Sequence, residues 1–289
     1  MRVLVTGAGG FVGSRLAAAL GPETFGLVRR DPGTVPWRPV RGDLLEPDGW
    51  RASLAGVSTV VHLAALTGKA RAEEHRRINV EGTRRLIDAC KRAGVERLVF
   101  VSSIAAGFED LRRYPYGQAK REAEGFVRDS GLAHVIVRPT MILGPGSPNL
   151  EKLRRIATLP IMPIFGTGRT LVQPVHVDDV VLRLLQLVES PPERGALVSI
   201  GGPEAVSIEV LLERIRIVER GSSGPKIRLP MGLMLPLLAV GETIAFGAMP
   251  FTTGQVATFR FDSTVPDDAA WRDPPLLSID AMIGAEATS

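Results

Sequence analysis

Residues 3–13 read Val3-Leu-Val-Thr-Gly-Ala-Gly-Gly-Phe-Val-Gly13, and a helical pattern over Ser14–Leu20 follows directly. An apolar strand therefore runs straight into three glycines, Gly7, Gly10 and Gly13. In a parallel strand–turn–helix unit, such glycines let the backbone turn tightly and approach a pyrophosphate. The phosphates then lie on the unpaired amides and the positive dipole of the helix N-terminus. This stretch predicts a dinucleotide-binding site.

Strand-like apolar runs alternate with helical patterns along the first two-thirds of the chain. The predicted strands are Val3–Val5, Thr24–Val28, a short strand near Val40, Thr59–His62, Leu98–Ser102, Val135–Val137 and Leu197–Ile200. The predicted helices are Ser14–Leu20, Asn79–Ala93, Tyr116–Asp129 and Asp178–Glu189. Such alternation requires right-handed crossovers, and strands that are apolar throughout are covered on both faces. We predict an α/β fold, a doubly wound parallel Rossmann sheet with a smaller C-terminal lobe.

The pattern changes in the last third of the chain, which predicts a domain boundary. Residues 1–204 are predicted to form an NAD(P)-binding Rossmann domain. Within it, residues 144–172 are rich in Gly and Pro and are expected to be a loop-rich excursion toward the substrate site. Residues 205–289 are predicted to form a smaller substrate lobe, in which Ser207 caps a helix over Ile208–Glu219.

One apolar stretch, Leu229–Phe251, raises the question of membrane contact. It is interrupted by Pro236, Glu242 and Pro250, and its clean run is shorter than the roughly 18 residues that a membrane span needs. We expect a buried or surface-lying helix of the substrate lobe here. A peripheral membrane contact, or an apolar mouth of the substrate site, is the open alternative.

Composition narrows the class of protein. Of the 289 residues, 45% are hydrophobic and 23% are charged, which is ordinary for a globular protein. The net charge is only +4 and the basic residues are scattered, so we expect a solvated surface and no nucleic-acid partner. The single cysteine, Cys90, excludes an internal disulfide and suits a reducing compartment. With a strand starting at residue 2, no signal peptide is expected, so we predict a cytoplasmic location.

Candidate cofactor residues follow the second, third and fourth strands. The strand Thr24–Val28 ends at Arg29, where an arginine can bind the 2′-phosphate of NADP and an acid would bind the ribose of NAD. We therefore favour NADP(H), while Asp31 keeps NAD open. Asp43 is placed to accept a hydrogen bond from the adenine amino group. Ala64 and Ala65 are small enough for adenosine to lie against the backbone.

Tyr116 and Lys120 lie four residues apart at the start of a predicted helix, so both face the same way. A nearby ammonium favours tyrosinate and is expected to lower the phenol pKa, which makes Tyr116 a candidate general acid or base. Ser103, just past the fifth strand, is placed to steady charge on the same substrate oxygen. Tyr114 is a weaker rival because it has no lysine four residues later.

Other chemistries lack support in the sequence. The four histidines, at positions 62, 75, 134 and 176, show no metal-ligand spacing, so no metal is predicted. The His176-x-Asp178-Asp179 cluster is explained by acidic residues in the first turn of a helix. A Gly-x-Ser-x-Gly elbow is missing from the sequence, which argues against a serine hydrolase.

Several motifs together resemble the extended and atypical short-chain dehydrogenases/reductases of the NAD-dependent epimerase/dehydratase superfamily. The motifs cover roughly residues 1–200 and are Thr6-Gly-Ala-Gly-Gly-Phe-Val-Gly13, Gly42-Asp-Leu44, His62-Leu-Ala-Ala65, Asn79-Val-Glu-Gly-Thr83, Val101-Ser-Ser103, Tyr116-x-x-x-Lys120, Arg138-Pro139 and His176-Val-Asp-Asp179. The resemblance implies the catalytic residues Ser103, Tyr116 and Lys120. It implies a cofactor site made of Gly7, Gly10, Phe11, Val12, Gly13, Arg29, Asp43, Leu44, Ala64, Ala65, Ser102, Lys120 and Pro139.

One departure from the family pattern bears on the substrate. Sugar-nucleotide epimerases often carry an arginine that grips the substrate diphosphate where this chain has Val172, in Val172-Gln-Pro-Val-His176. That stretch and the apolar tail look more like the atypical branch, which includes the NADPH-binding accessory subunit of respiratory complex I. Our leading hypothesis is an NADPH-dependent oxidoreductase acting on a small molecule. A sugar-nucleotide epimerase or dehydratase with retained NAD, and a non-catalytic NADPH-binding accessory protein, are the alternatives. By resemblance, a homodimer is also open.

Overall fold

The computed structural model describes residues 2–248, 252–266 and 276–284. The chain divides into two compact units, and each is described on its own. The first unit comprises Met1–Gly107, Tyr116–Pro139 and Asp178–Ser199. The second unit comprises Phe108–Pro115, Thr140–Val177 and Ile200–Ser289.

Strands and helices alternate through the first unit, and shorter strands occupy the second. The strands in chain order are β1 (Val3–Thr6), β2 (Phe25–Val28), β3 (Arg38–Arg41), β4 (Thr59–His62), β5 (Arg97–Val101), β6 (Ala133–Pro139), β7 (Ile142–Leu143), β8 (Met162–Phe165), β9 (Leu171–Val172), β10 (Val175–His176), β11 (Ala196–Ile200), β12 (Val206–Ser207) and β13 (Lys226–Leu229). The helices are α1 (Phe11–Leu20), α2 (Ala72–His75), α3 (Gly82–Ala93), α4 (Pro115–Arg128), α5 (Pro148–Ala157), α6 (Val177–Glu189), α7 (Ile208–Arg220), α8 (Met231–Ala245), α9 (Thr253–Ala257) and α10 (Ile279–Ile283). A π-helical turn over Arg76–Glu81 joins α2 to α3.

A seven-stranded sheet in the order β11-β6-β5-β4-β1-β2-β3 forms the centre of the first unit. The pairs from β3 through β6 are all parallel, with Val5 opposite Val61 in the β1–β4 pair. The strand order reverses between β1 and β4, and ligands of such sheets bind at the carboxyl ends of the strands beside this switch point. The predicted doubly wound α/β fold is confirmed.

The central strands of the first unit lie in its core. Every residue of β1 and β4 is buried, as strands covered on both faces must be. Leu4, Val60 and Phe100 of the sheet pack with Leu86 and Cys90 of α3 in one apolar cluster. Burying Cys90 raises the pKa of its thiol to about 12, so it acts as a small core residue.

The second unit combines three small strand pairs with two helices that share an apolar core. β8 pairs with β13, β9 with β12 and β7 with β10. The helices α5 and α7 contribute Leu153, Ile156, Leu211 and Ile215 to a shared core. Ser207 caps α7 by accepting a hydrogen bond from the Val210 amide at 3.2 Å, as predicted.

Residues 144–172 are more ordered than the prediction of a loop-rich excursion, which was wrong in this respect. The segment contains α5, β8 and β9. The start of α5 carries a sequence signal that composition obscured: Ser147 accepts from the Leu150 amide at 3.3 Å and Pro148 occupies the first helical turn. The pairings of β8 with β13 and β9 with β12 also place residues 140–177 with the C-terminal part of the chain. The division into units therefore differs from a single boundary at residues 204 and 205.

The apolar stretch that begins at Leu229 contains α8, so the predicted helix is present, while residues 249–251 lie outside the described part. One side of α8 buries Leu235 and Leu238 in an apolar cluster. Large side chains on its other side are exposed at Leu233, Leu237, Val240 and Ile244. Among the described helices, none combines the length and the hydropathy needed to cross a bilayer.

Candidate nucleotide-binding and catalytic site

The glycine turn between β1 and α1 forms a cradle that side chains would fill. Gly7 has φ +72°, and a Cβ there would lie 2.7 Å from the Ala64 amide nitrogen. A Cβ on Gly13 would lie 2.1 Å from the Gly7 carbonyl oxygen. The Gly10 amide closes the turn by donating to Gly7 O at 2.9 Å. These contacts explain why glycine is required where the helix approaches the strand so closely.

The N-terminus of α1 has the features of an anion-binding site. Its N-cap, Gly10, offers no side-chain hydrogen bond, and the first turn contains no acidic residue. The first amides of the helix therefore have no partner within the helix, and the helix dipole favours negative charge at this end. Phe11, Val12 and Gly13 supply this first turn, so the predicted residues form a cradle that fits a pyrophosphate.

A buried hydrogen-bonded chain connects β1, β4 and α3. The Ala64 amide donates to Thr6 Oγ1 at 3.2 Å, and the Thr6 hydroxyl lies 2.6 Å from His62 Nδ1. The Thr83 hydroxyl donates to Asn79 O at 2.6 Å, so its oxygen accepts from His62 Nε2 at 2.9 Å. His62 is thus a neutral imidazole that accepts at Nδ1 and donates at Nε2.

The pKa of His62 agrees with this arrangement. Complete burial lowers the pKa to about 3, and the charge of Lys120 contributes in the same direction. The histidine therefore remains neutral at physiological pH and acts as a structural link. These residues belong to the sequence motifs His62-Leu-Ala-Ala65 and Asn79-Val-Glu-Gly-Thr83. Their contacts with one another could not be predicted from the sequence, because the two motifs meet only in the folded chain.

Asn79 fixes the backbone after β4, where the predicted adenosine residues lie. Its Nδ2 donates to Leu66 O at 2.9 Å, and the Leu66 amide donates to its Oδ1 at 2.7 Å. Ala64 and Ala65 precede Leu66 and are half-buried. The small side chains that were predicted to face adenosine are thus carried on a backbone held by hydrogen bonds.

The other two predicted adenosine residues lie at the ends of β2 and β3. Arg29 is exposed directly after β2. Asp31 accepts a hydrogen bond from the Gly33 amide at 2.9 Å, which uses one of its oxygens locally. Asp43 is half-buried and accepts from the Leu45 amide at 2.9 Å, and the intervening Leu44 is buried. Arg29 is therefore exposed to solvent, whereas one oxygen of Asp31 is engaged locally.

Ser103, Tyr116 and Lys120 come together at the carboxyl end of β5. The Tyr116 hydroxyl is hydrogen-bonded to the Ser103 side chain. Lys120 is buried, donates to Val101 O at 2.7 Å, and places its ammonium 4.5 Å from the centroid of the Phe100 ring. Tyr114, the rival tyrosine, belongs to the second unit.

The pKa values differ from the expectation that Lys120 lowers the phenol pKa. Burial raises the pKa of Tyr116 to about 12, against a smaller opposing effect of its Ser103 hydrogen bond. Burial also lowers the pKa of Lys120 to about 7, although the charge of Glu124 opposes this shift. The expectation was wrong because burial of the phenol itself disfavours the charged tyrosinate. At neutral pH the phenol keeps its proton, so Tyr116 is prepared to donate one.

Glu124 is a site residue that the sequence reasoning missed. Its buried carboxylate accepts from Ser102 Oγ at 2.7 Å, from Arg138 Nε and Nη2 at 2.8 and 2.6 Å, and from Arg128 Nη2 at 2.8 Å. Burial alone would raise the pKa of Glu124, but these hydrogen bonds outweigh it and lower the pKa. The Ser102 hydroxyl is therefore engaged here, one residue before Ser103.

His75 also contacts Tyr116. Its ring meets the Tyr116 ring edge to face, with centroids 5.9 Å apart. The imidazole is buried, and burial lowers its pKa. Within the described residues there is no group of three or more histidine, cysteine or acidic side chains that could hold a metal ion. Pro139, the remaining predicted cofactor residue, is buried at the end of β6.

Comparison with known proteins agrees with this fold. The model of the NAD dependent epimerase/dehydratase family matches residues 3–201, which include the glycine turn and the Ser103, Tyr116 and Lys120 cluster. The chain belongs to this family, and the resemblance inferred from its motifs is confirmed.

Individual relatives cover several activities. A ceramide reductase of Caulobacter vibrioides is 34% identical over 199 residues, which cover 65% of this chain and 61% of that protein. A 2-alkyl-3-oxoalkanoate reductase of Stenotrophomonas maltophilia is 30% identical over 210 residues, which cover 63% of each protein. The solved structure of MoeE5 in complex with UDP-glucose and NAD has a TM-score of 0.69 at 28% identity and covers 100% of both chains. The matched part of the chain thus spans about three fifths of the length of the two curated relatives.

Proposed function

We propose that this protein is an NAD(P)-dependent oxidoreductase that interconverts a carbonyl and an alcohol on a small substrate. The observation that carries the proposal is the hydrogen bond between Tyr116 and Ser103, with Lys120 one helical turn further along α4. A protonated phenol and a hydroxyl thereby lie side by side. A substrate oxygen bound next to them would be within reach of both groups. The nucleotide would lie on the α1 N-terminus, in the cradle formed by Gly7 and Gly13.

The chain's own groups account for the proton chemistry. A nicotinamide nucleotide held in the glycine cradle would supply the hydride for the carbonyl carbon. As charge develops on the substrate oxygen, Tyr116 donates its phenolic proton to it and Ser103 hydrogen-bonds the same oxygen. Lys120, whose pKa burial lowers to about 7, would favour the tyrosinate that remains only in its ammonium form. In the oxidative direction the tyrosinate takes the proton back.

The two curated relatives favour reduction of a ketone. Both are named as reductases, one of a ceramide-type substrate and one of a 2-alkyl-3-oxoalkanoate. Val172 points the same way: it is buried in β9, where a sugar-nucleotide enzyme often carries a diphosphate-binding arginine. An apolar or amphipathic ketone therefore fits better than a nucleotide sugar.

Sugar-nucleotide epimerisation with retained NAD is the second candidate, favoured by the likeness to MoeE5 in complex with UDP-glucose and NAD. It predicts that NAD copurifies with the protein and that UDP-glucose binds. If neither is observed by absorbance of the denatured protein and by calorimetry, this candidate is ruled out.

The nucleotide preference follows from Arg29. A guanidinium at this position makes a charge-assisted hydrogen bond to the 2′-phosphate, which NADH lacks. Calorimetric titration should therefore show tighter binding of NADPH than of NADH. Arg29→Gln should remove most of this difference, whereas Arg92→Gln, an exposed arginine on α3, should leave it intact. A preference for NADH in the unmodified protein would contradict the proposal.

The catalytic roles are tested with the chain's two tyrosines. Tyr116→Phe should reduce ketone-dependent oxidation of NADPH by about 100-fold or more, since it removes the proton donor. Tyr114→Phe is the matched control and should retain turnover. NADPH affinity should be unchanged in both variants. Loss of nucleotide binding together with turnover in Tyr116→Phe would show that the residue is structural.

A further inference from the structure

The second unit contains a cavity of about 540 Å³. This volume lies in the range of small-molecule sites, about 300–1,000 Å³. Its walls come from the segment 108–114, the first half of α8 and residues 257–261, all within the second unit. None of the residues assigned above to the nucleotide or to proton transfer lines it.

One side of the cavity is apolar and held in place by packing. The rings of Phe108 and Phe261 stack with centroids 5.4 Å apart and an interplanar angle of 22°. Leu235 projects from a buried apolar cluster on α8, and Met231 packs against the same cluster. Phe108 and Leu235 are each at least nine-tenths buried, so this wall is preformed.

The rest of the lining carries an excess of positive charge. Asp110 accepts from Arg112 Nε at 3.0 Å and Nη2 at 2.8 Å, so these two groups neutralise each other. The hydrogen bond from Arg112 lowers the pKa of Asp110 to about 2, so the carboxylate stays ionised. Arg113 and Arg260 are exposed and form no salt bridge with any residue that the structure describes. The charge of Arg260 also acts on Asp110, so the lining holds three guanidinium groups against one carboxylate and keeps an excess of two positive charges for an anion.

We propose that this cavity binds an amphipathic anion, an aliphatic chain that ends in a carboxylate or a similar group. The chain would lie against Phe108 and Leu235, and the anionic end would meet Arg113 and Arg260. The apolar lining favours a ligand with an aliphatic chain, and the surplus guanidinium groups favour a ligand with a negative charge. This inference goes beyond the proposed function and does not depend on redox chemistry.

The test is a calorimetric titration of the whole protein with soluble single-chain ligands below their micelle concentrations. Decanoate should bind more tightly than hexanoate, by about fourfold for each methylene that is buried. Acetate should not bind detectably. Decyltrimethylammonium, which has the same chain and the opposite charge, should bind much more weakly than decanoate.

Variants locate the site. Arg113→Gln and Arg260→Gln should each weaken decanoate binding by up to about fivefold, as expected for exposed charge pairs. Arg92→Gln, on α3 of the first unit, is the matched control and should have no effect. NADPH binding should be retained in all three variants, so failure of this proposal is distinguishable from failure of the nucleotide site.

Three results would overturn the proposal. The first is equal binding of decanoate and decyltrimethylammonium, and the second is decanoate binding that neither arginine variant weakens. The third is binding to phosphatidylglycerol vesicles without binding of free decanoate. That last result would point to the exposed face of α8, with Leu233, Leu237, Val240 and Ile244, as a membrane-contacting surface.

Discussion

Asn79 holds the backbone of Leu66 by two hydrogen bonds, one in each direction, at 2.9 and 2.7 Å. The same asparagine offers its carbonyl oxygen to the Thr83 hydroxyl, which in turn binds His62. One residue thus couples the start of α3 to the end of β4. The backbone that carries Ala64 and Ala65 is therefore held at Leu66 by Asn79 and approached at Ala64 by Gly7 of the glycine turn.

Replacing Asn79 should loosen this coupling. Asn79→Ala leaves the amide and carbonyl of Leu66 without their partners, which should cost about 1–3 kcal/mol of unfolding free energy. We also expect weaker NADPH binding, measured by calorimetry, because the backbone at Ala64 is less constrained. Asn149, the chain's other asparagine, is exposed on α5. Asn149→Ala is the control, and an equal effect of the two changes would refute the role of Asn79.

Two glycine-to-alanine changes should have opposite effects. At Gly13 an added Cβ would lie 2.1 Å from the Gly7 carbonyl oxygen, so Gly13→Ala should destabilise the protein by about 1–3 kcal/mol and abolish nucleotide binding. At Gly125, inside α4, an added Cβ meets no atom within 4 Å. Gly125→Ala should therefore stabilise by about 0.5–1 kcal/mol. Urea unfolding and NADPH titration measure both effects, and tolerance of alanine at Gly13 would contradict the tight packing.

His62 should make the protein sensitive to acid. Its pKa is about 3 when folded and 6.5 as the ordinary value, so below pH 6.5 the unfolded chain binds more protons than the folded protein. Stability from this residue is complete above pH 6.5 and falls as the pH drops, by up to about 1.4 kcal/mol per pH unit. Urea unfolding between pH 6.5 and 5 should show this slope. His62→Gln should flatten it, and an unchanged slope would show that other groups cause it.

Lys120 should make the unfolding free energy depend on pH above neutrality, whereas His62 does so in acid. Its pKa is about 7 when folded and 10.5 as the ordinary value, so between these values the unfolded chain binds more protons. Unfolding free energy should therefore rise from pH 7 to 8.5, by up to about 1.4 kcal/mol per pH unit. Lys120→Met should remove the rise. If the variant and the unmodified protein show equal slopes over this window, the lysine is not desolvated.

Much of the first unit could be predicted from the sequence because local and global preferences agree there. The predicted strand over residues 59–62 matches β4 residue for residue, and all four of its residues are buried. The Tyr116 and Lys120 pair follows from helical spacing alone. The helix α5 was missed because the Gly and Pro content around it outweighed the Ser147 cap and Pro148.

By itself, the sequence determined the parallel sheet, the glycine turn and the pairing of Tyr116 with Lys120, since these depend on periodicity and short-range spacing. Only the tertiary structure decided the ionisation of these groups, because burial and partners distant in sequence set each pKa. The tertiary structure also decided the hydrogen bonds of Glu124 with Ser102 and Arg138, and those of Asn79 with Leu66. The cavity of the second unit likewise exists only in three dimensions, because the segment 108–114 lies more than a hundred residues before the other lining segments in the chain.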